Sequence, residues 1–367
     1  MNKKVLISGA SIAGLTLGYW LNHYGFQVSI VEISKGLRKG GTPIDVRGKA
    51  LSIAEEMDIL KEIKEHECRS VMEMVDAENK TIIDFSINDQ PEYKGDIEIR
   101  RDDLVNILYE QLPKGDIEFY FENRIVDLIQ DNEKIKATFK SGQQEHFDFV
   151  FGADGIHSGV RKLIFRPEEE YSTFYGEYYA LVETPNIKPH RPKVGSIYNE
   201  PGKMVAIYPF ENTVGALLVF KSPKLDWDYR DVNQHKQILK ENYTSGLWHM
   251  PEILKAITYS TNLFFDEVSQ IRMPTWSQGR VALVGDAAYA ASFHTGMGTS
   301  LAMEGAYILA KELNENDNYK AAFNNYYVVY QPFTEKMQDR ITIGLNYLVP
   351  ETKEGIQKAI QRFENMK

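Results

Sequence analysis

The stretch that most constrains the fold is KVLISGASIAG, residues 4–14, close to the start of the chain. Its first part, residues 4–8, is a short apolar run typical of a buried parallel strand. A glycine loop follows at once, and the spacing over residues 15–24 predicts a helix that Gly25 ends. Residues 27–32 then predict a second strand that ends in an acid. The order of strand, loop, helix and strand predicts an α/β fold with a parallel sheet.

The glycine loop GASIAG has the spacing of a dinucleotide-binding fingerprint with one departure, because Ser11 stands at the position of the middle glycine. Gly9 permits the tight turn, and Gly14 lets helix and strand pack closely. The N-terminus of the helix offers free N–H groups and a positive dipole end to a pyrophosphate. Glu32 ends the second strand, where an acid accepts hydrogen bonds from ribose hydroxyls. These residues predict a dinucleotide site, and the alternative is a plain glycine turn.

The composition excludes several classes of partner. The chain has 367 residues, which favours two domains, and 43% of them are hydrophobic, as in an ordinary globular protein. The formal net charge of −10 and the lack of a long basic run argue against nucleic acid and anionic membranes. Cys68 is the single cysteine, so no disulfide forms within the chain. Glycines interrupt the apolar start of the chain, which argues against a secretory signal. We expect a cytoplasmic protein and a monomer.

A second strand and glycine-rich helix start follow near the C-terminal third, in VALVGDAAYAASFHTGMGTSLAMEGAYILAKEL. Asp286 stands at the carboxyl end of the predicted strand 281–284, where open α/β sheets place ligands. Gly296 and Gly298 begin the helix, whose N-terminus is a second site for negative charge. A simple NAD dehydrogenase has no need of this second site. The spacing therefore suggests an extended FAD, with adenosine at residues 9–32, the ribityl chain at Asp286 and the flavin ring at the glycine pair. The alternative is a purely structural strand and helix.

Two further segments carry candidate residues. Residues 147–161, FDFVFGADGIHSGVR, predict a strand, an acidic turn and a helix. His157 and Ser158 are loop neighbours that we do not interpret as a catalytic dyad. The eight histidines are scattered, so we predict no metal site. Arg101 lies at the start of another predicted helix, where it could reach a phosphate or a ribityl oxygen, or be an ordinary surface arginine.

Residues 168–275 alternate between apolar and polar positions and are rich in aromatic side chains. This pattern predicts a mostly antiparallel sheet inserted into the dinucleotide-binding domain. Its aromatic residues could line a cavity for a flat, apolar ligand, or they could be simple core. The tail beyond Glu351 predicts a short amphipathic helix that packs on the body of the protein.

Together these motifs resemble the class A flavoprotein monooxygenases, the para-hydroxybenzoate hydroxylase-like family. Three motifs match in order: GASIAG with Glu32, GADGIHSGVR and GRVALVGDAA. The stretches GGTPIDVRG, RRDDL and GDAAY…GMGTSLA look most like the branch that holds tetracycline-inactivating and polyketide-hydroxylating enzymes. The resemblance runs from about residue 4 to about residue 315.

The resemblance implies contacts to FAD along both glycine loops and at positions between them: Gly9, Ser11, Ile12, Ala13, Gly14, Glu32, Asp45, Arg101, Asp154, Gly285, Asp286, Gly296, Met297 and Gly298. It places Arg38 at a contact to the nicotinamide nucleotide, and it associates Asp154 with both FAD and NAD(P)H. Arg47, Phe293 and His294 are the candidate catalytic residues. No obvious general base stands out, although Arg47, Asp45 and His294 are candidates.

By the same resemblance, NAD(P)H reduces FAD and O2 adds to give a flavin hydroperoxide. Its terminal oxygen passes to an electron-rich aromatic or enolic small molecule, such as a tetracycline-like or other polyketide-like substrate. The implied fold is α/β, a Rossmann-like FAD-binding domain with an inserted, mostly antiparallel substrate sheet and C-terminal helices. The predicted limits are 1–70, 95–165 and 276–320 for the FAD-binding domain, 71–94 and 166–275 for the substrate-binding domain, and 321–367 for the C-terminal helices.

The chain departs from the family pattern at Ser11 and at three positions of the second loop. Tyr289 replaces a usual histidine, Phe293 a usual proline and Ser300 a common asparagine. Two alternatives therefore stay open: a flavin-dependent dehydrogenase or reductase of the same fold, and a flavin-binding protein that is not an enzyme.

Overall fold

The structure is a computed structural model. It describes residues 3–40, 42–68, 71–85, 95–210 and 213–365, without the side chains at positions 343 and 346. Residues 86–94, which were predicted to belong to the substrate-binding domain, lie outside the described residues.

Within these ranges the strands, numbered in chain order, are β1 (Lys4–Ser8), β2 (Gln27–Val31), β3 (Pro43–Val46), β4 (Val71–Val75), β5 (Thr81–Phe85), β6 (Ile97–Arg100), β7 (Ile117–Tyr120), β8 (Ile125–Gln130), β9 (Ile135–Phe139), β10 (Gln144–Phe147), β11 (Phe149–Gly152), β12 (Ser172–Glu183), β13 (Val194–Glu200), β14 (Lys203–Pro209), β15 (Val214–Lys221), β16 (Phe264–Ile271), β17 (Ser277–Gln278) and β18 (Val281–Leu283).

The helices are α1 (Ile12–His23), α2 (Lys49–Glu56), α3 (Leu60–Glu65), α4 (Arg101–Glu110), α5 (Gly159–Ile164), α6 (Val232–Asn242), α7 (Met250–Tyr259), α8 (Asp286–Tyr289), α9 (Gly298–Glu315), α10 (Tyr319–Gln338), α11 (Ile341–Tyr347) and α12 (Lys353–Glu364). Short 3₁₀ turns span Glu168–Glu170 and Phe293–Thr295.

Strand β1 lies inside a six-stranded sheet with the order β17-β18-β11-β1-β2-β7. Neighbouring strands run parallel except for β17 and β18. The apolar residues of β1 are fully buried, as expected for a parallel sheet covered on both faces. Because β18, β11 and β1 are parallel neighbours, the segments that follow them begin at the same edge of the sheet. These segments are the loops that carry Asp286, Asp154 and Gly9.

Helix α1 begins at Ile12, three residues before the predicted start. A Cβ on Gly14 would lie 1.9 Å from the carbonyl oxygen of Gly9, so only glycine fits there. Gly25 follows the helix with φ +83, which confirms its predicted place as the residue that ends the helix.

A second, seven-stranded sheet has the order β16-β12-β15-β14-β13-β4-β5 and is antiparallel except between β13 and β4. One face packs against α6 and α7. The other face carries Tyr179, Leu181 and Tyr208, which pack together with Phe293 and Leu348. Smaller sheets are formed by β8, β9 and β10 and by β3 and β6.

The prediction for residues 168–275 missed two helices, α6 and α7. Helix α6 is polar and buries few side chains, those of His235 and Leu239, so its sequence lacks a clear apolar stripe. Helix α12 confirms the predicted C-terminal amphipathic helix, and its Phe363 stacks on Phe85 of β5 at a ring distance of 4.4 Å. The α/β class, the inserted mostly antiparallel sheet and the C-terminal helices are confirmed. Among the described helices, none combines the length and apolar character needed to cross a membrane.

Candidate active site

The carboxylate of Glu32 holds the first glycine loop in place. Its Oε2 accepts a hydrogen bond from the backbone N–H of Ala10 at 2.9 Å, and Oε1 accepts one from Ser34 at 2.9 Å. Each oxygen has a second acceptor position. The geometry therefore fixes the orientation of the carboxylate and leaves it able to accept ribose hydroxyls, the predicted role.

Arg101 reaches the same loop from the start of α4. Its Nη2 donates a hydrogen bond to Oγ of Ser11 at 2.7 Å. Its Nη1 is buried and has no hydrogen-bond partner among the described residues. Burial lowers the pKa of Arg101 to about 10, with a smaller contribution from the nearby charge of Arg38. A cation with an unused buried donor beside a helix N-terminus is suited to bind an anion.

Asp286 is the first residue of α8, directly after the strand end that was predicted to present it. Its side chain is exposed, yet desolvation raises its pKa to about 6, with a further increase from Asp266 and a decrease from Arg101. Exposure combined with desolvation describes a carboxylate that borders a cleft. The cleft side of the sheet edge is therefore where a hydroxyl-bearing ligand would meet it.

Gly285 shows how the two glycine-rich helices meet. It adopts φ +65, and a Cβ there would lie 3.0 Å from Cβ of Ala13 in α1 and 3.8 Å from Cβ of Ala302 in α9. The turn before Asp286 is therefore packed between the N-terminal parts of α1 and α9.

The second glycine pair occupies two different environments. Gly296 has φ +60, and a Cβ there would lie 3.3 Å from Nη1 of Arg47. Gly298, the first residue of α9, is exposed, and a Cβ added to it would meet no atom of the described residues within 4 Å, so the helix start faces open space. Met297 between them is buried.

Arg47, a candidate catalytic residue, is held by several partners. Its guanidinium forms ion pairs with Asp45 at 2.8 Å and Asp96 at 3.3 Å. Its backbone N–H donates to Oγ of Ser300 at 2.9 Å. Burial raises the pKa of Asp45, and the charge of Arg47 opposes that increase. Ser300, one of the departures from the family pattern, thus ties the Arg47 segment to α9.

Asp154 is used inside its own turn. Its carboxylate accepts hydrogen bonds from Oγ of Ser158 at 2.5 Å, from the N–H of Val160 at 3.1 Å and from Oγ of Ser8 at 3.3 Å. Burial raises its pKa despite these donors. In this structure Asp154 links β1 to the start of α5, and its predicted contact with cofactors stays a prediction.

His157 and Ser158 bond to different partners, since Oγ of Ser158 donates to Asp154. Nδ1 of His157 lies 2.8 Å from Glu168 and its Nε2 lies 3.1 Å from Asp266. Burial alone would lower the pKa of His157, but the hydrogen bonds and charges of Asp266 and Glu168 raise it to about 9. Both ring nitrogens of His157 thus have carboxylate partners.

Within the described ranges, no group of three or more His, Cys, Asp or Glu side chains is arranged to hold a metal ion.

Phe293 and His294 behave differently, although they are adjacent. The ring of Phe293 is half-buried and lies 4.8 Å from that of Tyr179 on the seven-stranded sheet. The side chain of His294 is fully buried, with Nε2 at 2.6 Å from Oε2 of Glu177. The structure therefore puts Phe293 beside the sheet face and His294 behind it, out of contact with solvent.

A family model described as an FAD binding domain matches residues 2–324. The chain belongs to this FAD-binding family. A protein of Mycobacterium tuberculosis (strain H37Rv), described as uncharacterised, is 36% identical over 98% of each chain. A flavin-dependent monooxygenase of Legionella longbeachae is 35% identical, over 98% of this chain and 92% of its own. The structure of the tetracycline destructase Tet(51) matches with a TM-score of 0.88 at 31% identity, covering 100% of this chain and 97% of that one.

This flavoprotein is therefore an FAD-dependent oxidoreductase related to flavin-dependent monooxygenases. These side chains fit FAD. The unused Nη1 of Arg101 can donate to a phosphate, and the cleft-facing carboxylate of Asp286 can accept from hydroxyl groups. The open start of α9 suits the electron-rich edge of a reduced flavin.

Arg38 of the flavoprotein lies at a shallow recess that Gly40, Glu183 and Asn262 also line. Its guanidinium lies over the ring of Phe264, 4.5 Å from the centroid. The side chain is exposed to this recess, but partial enclosure still lowers its pKa. A cation over an aromatic ring at a solvent-accessible recess can bind a phosphate or a nucleotide base.

Sequence reasoning did not single out Tyr179 within its run of aromatic residues. Burial raises the pKa of Tyr179 well above its usual value, and the charges of Asp266 and Asp286 add to this, while Arg38 opposes them. Tyr179 is half-buried, and its ring lies 4.8 Å from that of Phe293. The only sequence signal at Tyr179 is the alternation of apolar and polar positions along the strand. This alternation does not distinguish a residue that lines a cleft from one in the core.

Proposed function

We propose that this flavoprotein is a monooxygenase that uses NAD(P)H and O2 to hydroxylate an electron-rich aromatic or enolic small molecule. The balance is one substrate C–H, O2, NAD(P)H and a proton in, and one C–OH, water and NAD(P)+ out. The observation that carries the proposal is Gly285 packed between Ala13 and Ala302. This packing brings the N-terminal parts of α1 and α9 close to the residue before Asp286, which supports one extended flavin bound along all three.

FAD supplies the redox chemistry when bound, taking up electrons from the nicotinamide and activating O2. In our proposal the loop residues Ser11, Ile12 and Ala13 and the guanidinium of Arg101 bind the pyrophosphate. Glu32 accepts from the ribose of the adenosine half.

The flavin half follows the second loop. Asp286 would accept hydrogen bonds from the ribityl hydroxyls, and residues 296–298 would bind the flavin ring. The N-terminal dipole of α9 would favour the negative charge that a bound flavin gains on reduction.

The substrate side of the proposal rests on the sheet face that carries Tyr179, Leu181 and Tyr208. Phe293 packs on this face, so a flat ligand beside it would contact aromatic surface and displace water. The similarity to a flavin-dependent monooxygenase and to a tetracycline destructase supports a tetracycline-like or other polyketide-like substrate.

We further propose that Arg38 binds the nicotinamide nucleotide from the recess beside Phe264, supported by its exposed position there. Asp154 would act with it by holding the turn between β11 and α5. The net charge of −10 and the single cysteine support a cytoplasmic protein without a nucleic-acid or membrane partner, and we propose a monomer.

The test begins with the visible spectrum of the purified protein. Flavin bands should bleach when NADPH is added without air and return when air is admitted. A tetracycline should then accelerate bleaching and gain one oxygen atom from 18O2. Bleaching without oxygen incorporation, with all NADPH electrons recovered in hydrogen peroxide for every polyketide or phenol tried, would favour the dehydrogenase or reductase alternative.

A further inference from the structure

Strand β12 is irregular where it faces the loop before α9. Its pairing with β16 shifts register between Phe174 and Tyr178, and Gly176 adopts φ +79 within the shift. A bulge with a left-handed glycine re-aims the side chains that follow it. The next side chain, the carboxylate of Glu177, is 0% exposed.

Glu177 meets His294 in this buried position. Its Oε2 lies 2.6 Å from Nε2 of His294, and neither side chain is exposed. The remaining polar atoms, Oε1 of Glu177 and Nδ1 of His294, have no hydrogen-bond partner within the described part of the chain. Lys221 places Nζ 4.0 Å from Oε1. Behind the imidazole, a Cβ on Gly344 would come within 2.7 Å of His294, so α11 closes the space on that side.

The loop that His294 belongs to is strained at Ser292. Ser292 has φ +74 and ψ 149, a region that is almost restricted to glycine and persists only where the surroundings enforce it. Gln270 anchors the loop just before that point by donating to the carbonyl of Ala291 at 2.9 Å. His294 supplies the anchor just after it. The loop is thus held from both sides of its strained residue before it enters α9.

The same anchor orients Phe293. Its ring stacks on the imidazole of His294 at 4.2 Å, with 28° between the planes, and lies 4.8 Å from the ring of Tyr179. Glu177 and Tyr179 lie two residues apart on β12, just after Gly176, so one strand holds both contacts.

A buried polar pair with unsatisfied atoms is a weak source of stability, because an apolar pair of the same shape is often as stable. What such a pair does provide is a defined geometry. We propose that Glu177 is a positioning residue that acts through His294 to hold the strained loop, and with it Phe293 and the start of α9, against the flavin and the substrate. The inference rests on the proposed flavin position. It also gives His294 a supporting role in place of the catalytic one predicted from sequence.

The test compares Glu177→Leu, which removes the acceptor, with Glu177→Gln, which keeps an oxygen for Nε2 of His294. His294→Phe removes the same hydrogen bond from the other side. Glu73→Gln is the matched control, because Glu73 is 0% exposed in the same sheet but bonds to Thr81, Ser196 and Arg191.

Three readouts on FAD-loaded protein are measured: hydrogen exchange of peptides covering the loop, the reduction potential of the flavin, and the share of NADPH electrons lost as hydrogen peroxide. In Glu177→Leu and His294→Phe we expect exchange of the loop amides to rise about tenfold, since a buried hydrogen bond that resists opening is lost. The flavin potential should fall, because a displaced α9 no longer stabilises the anionic reduced form. Glu177→Gln should retain most of the wild-type behaviour.

Loop exchange and a potential equal to those of wild type in Glu177→Leu would overturn the proposal. Equal shifts in Glu73→Gln would overturn it too, because the effect would then be general loosening of the sheet. If Glu177→Leu does not fold, His294→Phe and Glu177→Gln decide by the same criteria. Exchange and potential need no substrate, so failure to oxidise any tetracycline would count against the proposed function and leave this inference standing.

Discussion

Nη2 of Arg101 donates a hydrogen bond to Oγ of Ser11 over 2.7 Å. The serine stands where the dinucleotide fingerprint has its middle glycine, and its hydroxyl joins α4 to the first glycine loop. The residue that departs from the family pattern therefore has a hydrogen-bond partner 90 residues away in the sequence.

Arg101→Leu should weaken FAD binding about 10- to 100-fold, because hydrogen bonds to charged groups contribute roughly 1.5–3 kcal/mol. Ser11→Gly should have a smaller effect, since it frees Arg101 without removing its charge. Quenching of FAD fluorescence during titration of the apoprotein measures both. Should Ser11→Gly prove the more severe change, the hydroxyl and not the guanidinium is the main phosphate ligand.

Asp286→Ala should lower the FAD content of the purified protein and yet stabilise the apoprotein at neutral and higher pH. Desolvation raises the pKa of Asp286 from 3.8 to about 6, so the folded apoprotein binds more protons than the unfolded chain between these values. Its stability therefore falls as pH rises through this window. The alanine variant lacks this penalty, so its advantage in melting temperature should be present at about pH 8 and vanish near pH 4. A variant that stays fully yellow after dialysis would contradict the proposed flavin position.

His157→Gln should destabilise the protein in a manner that depends on pH. The pKa of His157 is raised from 6.5 to about 9, so its contribution is fully present below pH 6.5 and is lost as pH rises through about 9. The shift corresponds to a contribution on the order of 3 kcal/mol at mildly acidic pH, where its carboxylate partners keep their charge. Urea unfolding of both proteins across this range measures it. A difference that does not change with pH would mean that the charge of His157 is not the stabilising feature.

Gly305→Ala should destabilise the packing beneath α8, because the new Cβ would lie 1.8 Å from Oη of Tyr289 and 3.1 Å from Tyr330. Overpacking of this kind costs roughly 1–3 kcal/mol. Tyr289→Phe in the same chain should recover part of the loss, since it removes Oη, and Tyr326 keeps its hydrogen bond to the carbonyl of Leu283. Thermal unfolding of the two variants and the double variant tests this. If the double variant regains no thermal stability, the contact with Oη of Tyr289 is not the cause of the destabilisation.

The parts of the site that follow strand ends could be predicted from sequence because local order determines them. The loop at Gly9, the turn at Asp154 and the carboxylate of Asp286 all follow short apolar runs that form parallel neighbours. Gly25 could be predicted in the same way, because the end of a helix depends on a single left-handed residue.

The parts that could not be predicted depend on distant contacts. Glu177 and His294 are separated by |i−j| = 117, and a bulge on one side and a strained serine on the other bring them together. Neither irregularity leaves a periodic signal. This is why the sequence indicated His294 only as a catalytic candidate and gave no sign of its contact with Glu177.

The seven-stranded sheet takes its strands from two separate stretches of chain. Strands β4 and β5 lie between β2 and β7 of the six-stranded sheet, and β12–β16 lie between β11 and β17. Strand β4 pairs in parallel with β13, in the register Val71 to Val194. A chimaera that exchanges this sheet between relatives therefore needs both stretches exchanged together, so that β4 and β13 come from the same parent. Shuffling libraries with a single crossover between β5 and β12 would yield mismatched halves, so recombination at this position should seldom give folded protein.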